Sequence, residues 1–293
     1  MNPENLIQKW LPGGFFPQRT LPHFIVIGAR GESMRLISRQ LSGHPGIWQS
    51  PIGELHFFDH EHVPECRESI VRWSEGRMRA LAEQWSKESG SWKKRRKMRY
   101  LRKLESLPAH SEEWYRACFA FPTWGRIIKG EVSGSYAFLS EQGLRAIDHL
   151  IPDVRIVMVV RNPVDDVLHS LLRAARKTKG PLSAMEWQRI ADDSKNYAGT
   201  RYSEITPLWD KVFGQRMIYL PFDLMQRNPD GFLKLLCERL DCGLSPWRTT
   251  ESTTSPDDYT RIPSLIRKLV IERTEAEVDF LNHRFQEEFA RLG

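Results

Sequence analysis

The sequence predicts an α/β fold in three layers: a central parallel sheet, helices on both of its faces, and a helical cap inserted between strands. Two observations predict it. Phe24 to Ile27 is a short apolar run of mostly branched residues that ends in Gly28, and Ser33 to Leu41 follows with Met34, Ile37 and Leu41 on one helical face. A buried strand, a glycine turn and a helix in that order open a nucleotide-binding α/β fold. The pattern then recurs, with strand-like runs at 124–131, 155–160 and 216–220, each followed by a helical segment. Repeated strand–helix units argue for parallel strands covered on both faces.

Each element has a local reason. Gly43 and His44-Pro45 end the first helix, because proline cannot continue it and restricts the residue before it. Residues 46–60 read as a connection that carries Glu54, His56, Phe57, Phe58 and Asp59. Residues 64–118 read as largely helical and polar and form the inserted cap; Trp73, Trp85, Trp92 and Trp114 recur there without a fixed period. The strand over 124–131 closes on Gly130-Glu131, a helix over 139–151 follows, and Pro152-Asp153 makes a turn. Arg155 to Val160 has a nearly continuous apolar core, and Pro163 stands near the first turn of a helix from about 164 to 176. The strand over 216–220 leads to a helix over about 230–240, with Asp230 as its candidate cap. Residues 249–258 read as a surface loop. The tail over 263–292 reads as a helix with Leu269, Ile271, Val278, Leu281 and Phe285 as candidate buried positions. The whole of 1–293 is read as a single domain.

The chain has 293 residues, enough to bury a core without disulfides or a structural metal. Its 40% hydrophobic and 27% charged residues exclude a disordered chain. A net charge of +6 favours anionic partners without choosing among them. Cys66, Cys118, Cys237 and Cys242 form no CxxC pair, and no Cys/His spacing marks a zinc site, so reduced, partly buried thiols and no metal are expected. Ile156 to Val160, the longest apolar run, falls far below the ~20 residues that span a bilayer. Residues 1–24 show no long apolar stretch before a cleavage signal, so a cytoplasmic protein is expected. The basic run Lys93 to Lys97, continued by Arg99, Arg102 and Lys103, reads as a solvated helix face or a guide for an acidic substrate. No recognition module accompanies it, so a nucleic-acid partner is not expected.

Four groups of residues can carry chemistry. In Gly28-Ala29-Arg30-Gly31-Glu32-Ser33-Met34-Arg35 a glycine turn precedes a helix. Exposed backbone N–H groups and the helix terminus there suit a phosphate, with Arg30 and Arg35 as forked donors. The loop is neither GxxxxGK[ST] nor GxGxxG, and an ordinary turn with solvent-facing arginines is the alternative. Arg161, at the carboxyl end of a buried parallel strand, points toward the crevice where such sheets bind ligands. His169 or Ser170, two turns into the next helix, can help it hold a second phosphate; a surface salt bridge is the alternative for Arg161. Glu54 and His56 are read as facing opposite ways from an extended segment, and either can remove a proton from a hydroxyl nucleophile. An exposed glutamate and a structural histidine are the alternative. Glu131, Ser133, Ser135 and Tyr136 form a polar stretch where the sheet should meet its ligand, and they can line the pocket.

Taken together, these segments resemble the sulfotransferases that use 3′-phosphoadenosine 5′-phosphosulfate, nearest to their bacterial and heparan-sulfate-type branch. The matching pieces are FIVIGARGESMRLISRQLSGHP, GELHFFD, EEWY, GEVSGSY, PDVRIVMVVRNPVDDVLHS and RMIYLPFDL, in the family's order and spacing over most of residues 21–243. The resemblance implies a P-loop-like fold and direct in-line transfer of a sulfuryl group to a hydroxyl of a small-molecule, lipid or carbohydrate acceptor. Adenosine 3′,5′-bisphosphate would be the product, and no metal would be required. It implies that the loop from Gly28 to Arg35 wraps the 5′-phosphosulfate and that Arg161 and His169, with Ser170 beside it, hold the 3′-phosphate. Glu54 would be the general base, with His56 as the other candidate, and Trp114 and Tyr115 would lie on the acceptor side with Glu131, Ser133 and Tyr136.

The chain also departs from that family's pattern. Gly31 stands where the family has a lysine that contacts the bridging oxygen of the leaving phosphate. Met34 and Arg35 replace a threonine pair, Ser33 a loop glycine, Val132 a second lysine and His169 a serine. Losing such a charge partner costs about 10²–10³ in rate unless another group replaces it. Arg30 and Arg35 are the candidates to do so. The competing reading is a catalytically impaired relative that still binds the nucleotide or another anionic ligand.

Overall fold

The computed structural model describes residues 19–28, 32–90, 92–121, 128–178, 180–242 and 259–290. Strands β1 (Phe24–Gly28), β2 (Ile47–Gln49), β3 (Ile128–Val132), β4 (Arg155–Val160) and β5 (Met217–Pro221) form one sheet in the order β2-β3-β1-β4-β5. Every pairing is parallel. Alternate side chains of a strand leave opposite faces, and the two cores divide accordingly. Ile25, Ile27, Ile156, Met158 and Val160 enter one cluster, while Phe24, Val26, Val157 and Val159 enter the other. Burial on both faces is why these strands read as continuous apolar runs.

Helices α1 (Glu32–Ser42), α10 (Phe222–Arg227) and α11 (Pro229–Leu240) cover the Phe24 face through Met34, Ile37, Leu41, Phe222, Met225 and Phe232. The Ile25 face is covered by α2 (Phe57–His62), α3 (Arg67–Ser86), α4 (Trp92–Glu105), α5 (Glu112–Cys118), α6 (Glu141–Leu150) and α9 (Tyr202–Phe213). Leu81, Trp85, Leu101, Leu104 and Trp114, all within 64–118, belong to the same cluster as Ile25 and Ile27. A third cluster joins α7 (Pro163–Ala175), α8 (Ala184–Asp192) and the first half of α12 (Ser264–Ala290).

The structure differs from the sequence reading in several places. Helix α11 is capped by Asn228, whose Oδ1 accepts the Gly231 N–H at 2.9 Å, and Asp230 lies inside its first turn. The connection over 46–60 contains β2, which at three residues is too short to show a pattern. The second strand is described over Ile128–Val132, one residue past its expected end; residues 122–127 lie outside the described residues, as does the loop over 249–258. The helix over 139–151 starts at Glu141, after a 3₁₀ turn over Gly134–Phe138. On α12, Ile271 is 54% exposed, and the buried positions are Ile266, Val270, Thr274, Leu281 and Phe285. That helix packs Ile266 and Val270 against α7 and α8 but Leu281 and Phe285 against the sheet core, so no single stripe describes it. Among the described residues, no helix is long and apolar enough to cross a membrane.

Candidate active site

Gly28 ends β1 with φ +91°, and a Cβ there would come within 2.6 Å of the Val159 carbonyl oxygen. Glycine alone fits such a position. Ala29, Arg30 and Gly31 lie outside the described residues, and Glu32 is described only as the start of α1. Ser33 and Met34 are buried, and the Met34 side chain is part of the apolar core rather than of a phosphate cradle. Arg35 is exposed, and its charge reaches the Glu54 carboxylate.

Glu54 and His56 do not face opposite ways. His56 adopts the left-handed conformation, φ 51° and ψ 28°, where the chain folds into α2. Its Nε2 lies 3.9 Å from a Glu54 carboxylate oxygen. Residues two apart in an extended segment share a side, and the bend at His56 completes the approach. On the other side of the ring, Nδ1 meets the Asp59 carboxylate at 2.7 Å. Ser135 Oγ donates to the same Asp59 oxygen at 2.5 Å. The Trp73 indole and the His56 ring meet at right angles, 5.1 Å between centroids.

The electrostatics follow from these contacts. Burial raises the Glu54 carboxyl above the usual carboxylate range, and Asp59 adds to that, while His56, the Gly134 backbone N–H and Arg35 pull it back. Burial alone would lower His56, but its hydrogen bond to Asp59 and the charges of Asp59 and Glu54 carry it above the ordinary histidine value. The group is a carboxylate of raised basicity beside an imidazole held by a second carboxylate.

Glu131 has a different setting. Its two oxygens accept from the Tyr115 hydroxyl at 2.5 Å, the Tyr136 hydroxyl at 2.7 Å and Ser133 Oγ at 2.8 Å. The Tyr136 oxygen also accepts the Phe57 backbone N–H at 3.0 Å. The Phe57 and Tyr115 rings stack at 4.4 Å between centroids. Burial raises the Glu131 carboxyl and these hydroxyl donors oppose it. Tyr115, Tyr136, Ser133 and Glu131 are all enclosed, and Trp114 is buried beside His110. The Tyr115, Ser133 and Tyr136 hydroxyls, expected on the acceptor side, are engaged by Glu131. A buried carboxylate needs donors, and these hydroxyls serve it while fixing the backbone that follows His56.

Arg161 follows β4 at the edge where β1 also ends, since Gly28 pairs with Val159. Asn162 Oδ1 accepts the Val164 N–H at 2.9 Å, and Pro163 occupies the first turn, so the start of α7 is capped. The Arg161 guanidinium is buried: Nη1 is 3.6 Å from Asp166, Nη2 is 3.5 Å from the Tyr259 hydroxyl, and the group lies over the Phe222 ring. It forms a buried pair rather than a surface salt bridge. Burial raises the nearby Asp165 carboxyl, with Arg161 opposing and Asp223 and Asp166 reinforcing. On α7, His169 is half-buried and Ser170 buried.

The profile of the sulfotransferase family matches residues 35–246. The chain belongs to the sulfotransferase family. The match begins at Arg35, so the Gly28 turn precedes it. Three solved structures are similar in fold. A sulfotransferase from Alicyclobacillus acidocaldarius is 21% identical with a TM-score of 0.55, over 88% of this chain and 96% of that one. The sulfotransferase domain of the curacin biosynthetic pathway is 14% identical with a TM-score of 0.53, over 87% and 98%. The sulfotransferase domain of the Synechococcus PCC 7002 olefin synthase is 19% identical with a TM-score of 0.52, over 91% and 98%. No curated protein matches the chain.

Sequence reasoning missed the partners of its own candidates: Asp59 and Ser135 at His56, Asp166 and Tyr259 at Arg161. Asp59 had a local signal, an acid three residues after His56 at the opening of a helix. Ser135 and Tyr259 are distant in sequence and had none.

Proposed function

We propose that this sulfotransferase moves a sulfuryl group from 3′-phosphoadenosine 5′-phosphosulfate to a hydroxyl of a small-molecule, lipid or carbohydrate acceptor in the cytoplasm, with Glu54 as general base. The observation that carries the reading is the line Glu54–His56–Asp59 beside the edge of the sheet where β1 and β4 end. Glu54 touches that edge through the Gly134 N–H, just past β3, and through the charge of Arg35 on α1. A carboxylate of raised basicity is suited to take a hydroxyl proton. His56, held by Asp59, favours the ionised form of Glu54.

The described residues fit a donor with phosphates at both ends. Gly28 is left-handed, and α1 starts at Glu32, where backbone N–H groups favour an anion. Arg161 contacts Asp166 and Tyr259 at distances longer than good hydrogen bonds, and a guanidinium carries five N–H donors, so it can turn on a phosphate. The donor would supply the activated sulfuryl group. In-line transfer then needs fixed positive donors opposite Glu54, and Arg35, whose charge reaches Glu54, is one candidate.

The test is transfer of labelled sulfate from the donor to a broad acceptor panel by wild type and by Glu54→Gln. Transfer by wild type that collapses in the variant, with folding intact, supports the proposal. The buried Arg161–Asp166 pair, together with Gly31, favours a second reading, a protein that binds the nucleotide without turnover. Calorimetric binding of adenosine 3′,5′-bisphosphate without any transfer would favour that reading, and absence of binding would remove both.

A further inference from the structure

A second cluster lies at the opposite edge of the sheet. Helix α11 ends in a Schellman turn: Asp241 is left-handed, its N–H donates to the Glu238 carbonyl, and the Cys242 N–H donates to the Cys237 carbonyl. This motif sets the residue after the left-handed one against the residue five positions back, and here both are cysteines. His44, 193 residues from Cys237, completes the group from the end of α1. His44 and the two sulfurs place one side-chain atom each within 4.8 Å of the others. No spacing in the sequence marks the cluster, and tertiary contact alone assembles it.

One backbone group decides what the cluster can do. The Gly46 N–H donates to His44 Nδ1 at 3.1 Å, so the neutral ring carries its proton on Nε2, which faces Cys237 Sγ at 3.8 Å. Burial lowers the His44 pKa, which keeps the ring neutral. A metal on Nε2 would need that nitrogen bare and the proton on Nδ1, against the Gly46 N–H. The ring is instead a donor to sulfur. The sulfurs share a proton: the bond from Cys237 lowers the half-buried Cys242 thiol, while Cys237 is raised and stays protonated.

We propose that Cys237 and Cys242 are a redox-active dithiol, an oxidation site that closes to an intramolecular disulfide on reaction with hydroperoxides. The Cys242 thiolate attacks the distal peroxide oxygen, the O–O bond breaks, and the alcohol or water leaves with a proton, giving a sulfenic acid at Cys242. The Cys237 sulfur then attacks Cys242 Sγ, the S–O bond breaks, and water leaves with the Cys237 proton. Two thiols and one hydroperoxide become one disulfide, one alcohol and one water. His44 Nε2–H steadies negative charge on Cys237 as it attacks. Cys118 is fully buried with its thiol pushed up, which leaves exposed Cys66 as the rival thiol.

The experiment treats the full chain carrying Cys66→Ser with hydrogen peroxide and follows intact mass, thiol count and peptide mapping. The expected result is loss of two hydrogens and two thiols, a Cys237–Cys242 linked peptide, and full reversal by dithiothreitol. Cys242→Ser should abolish the change. Cys237→Ser should leave a sulfenic acid that dimedone traps at Cys242. Peroxide-inert thiols, or oxidation that runs to sulfinic acid without a disulfide, would overturn the proposal. So would one tightly held zinc per purified chain, lost in Cys237→Ser and Cys242→Ser.

Discussion

Two carboxylates near the end of β3 are treated in opposite ways. Glu131 is enclosed and accepts from three hydroxyls, so its burial is compensated bond by bond. Glu54 is about one-third exposed along its side chain and meets His56 only at 3.9 Å. A carboxylate that is enclosed, with both oxygens engaged, is out of a substrate's reach, and removing one of its donors costs stability. A carboxylate that is raised, reachable and loosely held can exchange a proton. Tyr136 links the two, because its oxygen bonds both Glu131 and the backbone just after His56. The two settings therefore separate a carboxylate that holds the backbone beside His56 from the carboxylate proposed to act as base.

The largest effect that would break this division is on turnover. Glu54→Gln should lower the transfer rate by about 10²–10⁴-fold, the usual worth of a general base, and leave the thermal midpoint near wild type. A variant that loses stability but keeps its rate would reverse the roles. Tyr136→Phe should do the opposite and cost about 1–3 kcal/mol in denaturant unfolding, because it removes one of the two donors to a buried carboxylate oxygen and strands the Phe57 N–H.

Gly130→Ala tests the support beneath Glu131. The added Cβ would fall 2.1 Å from the Phe24 ring, and forcing that ring aside in a packed core should cost about 1–3 kcal/mol. A neutral result would show that the Glu131 side of the sheet is looser than its packing implies. The smallest effect sharpens the Glu54 side. The pKa of His56 in the folded chain is raised above 6.5, so its pairing with Asp59 stabilises the fold fully below 6.5 and loses that effect as pH rises through the folded value. Asp59→Asn should flatten this dependence in pH-resolved denaturation and lower the His56 titration followed by NMR.

Much of the candidate site was present in the sequence as residue types at the ends of strands. Gly28, Glu131 and Arg161 were singled out at the ends of strand-like runs, and Glu54 and His56 on the connection just before two phenylalanines. Their duties were harder to assign, because a duty depends on partners. Glu131 read as a pocket wall because its three donors come from two separate segments, and burial is a property of the whole fold. Arg161 read as open to a ligand or to solvent because Asp166 and Tyr259 close on it only when α7 and the segment before α12 pack.

The sequence by itself determined the layered α/β architecture. Short apolar runs ending at glycine or arginine, each followed by a helical face, have one economical solution in a parallel sheet covered on both sides. Only the tertiary structure decided which carboxylate is saturated and which is poised, and brought His44 to two cysteines at the far edge. Local pattern records what each residue prefers to bury. Pairing across the fold decides what its polar atoms meet, and that pairing sets the chemistry.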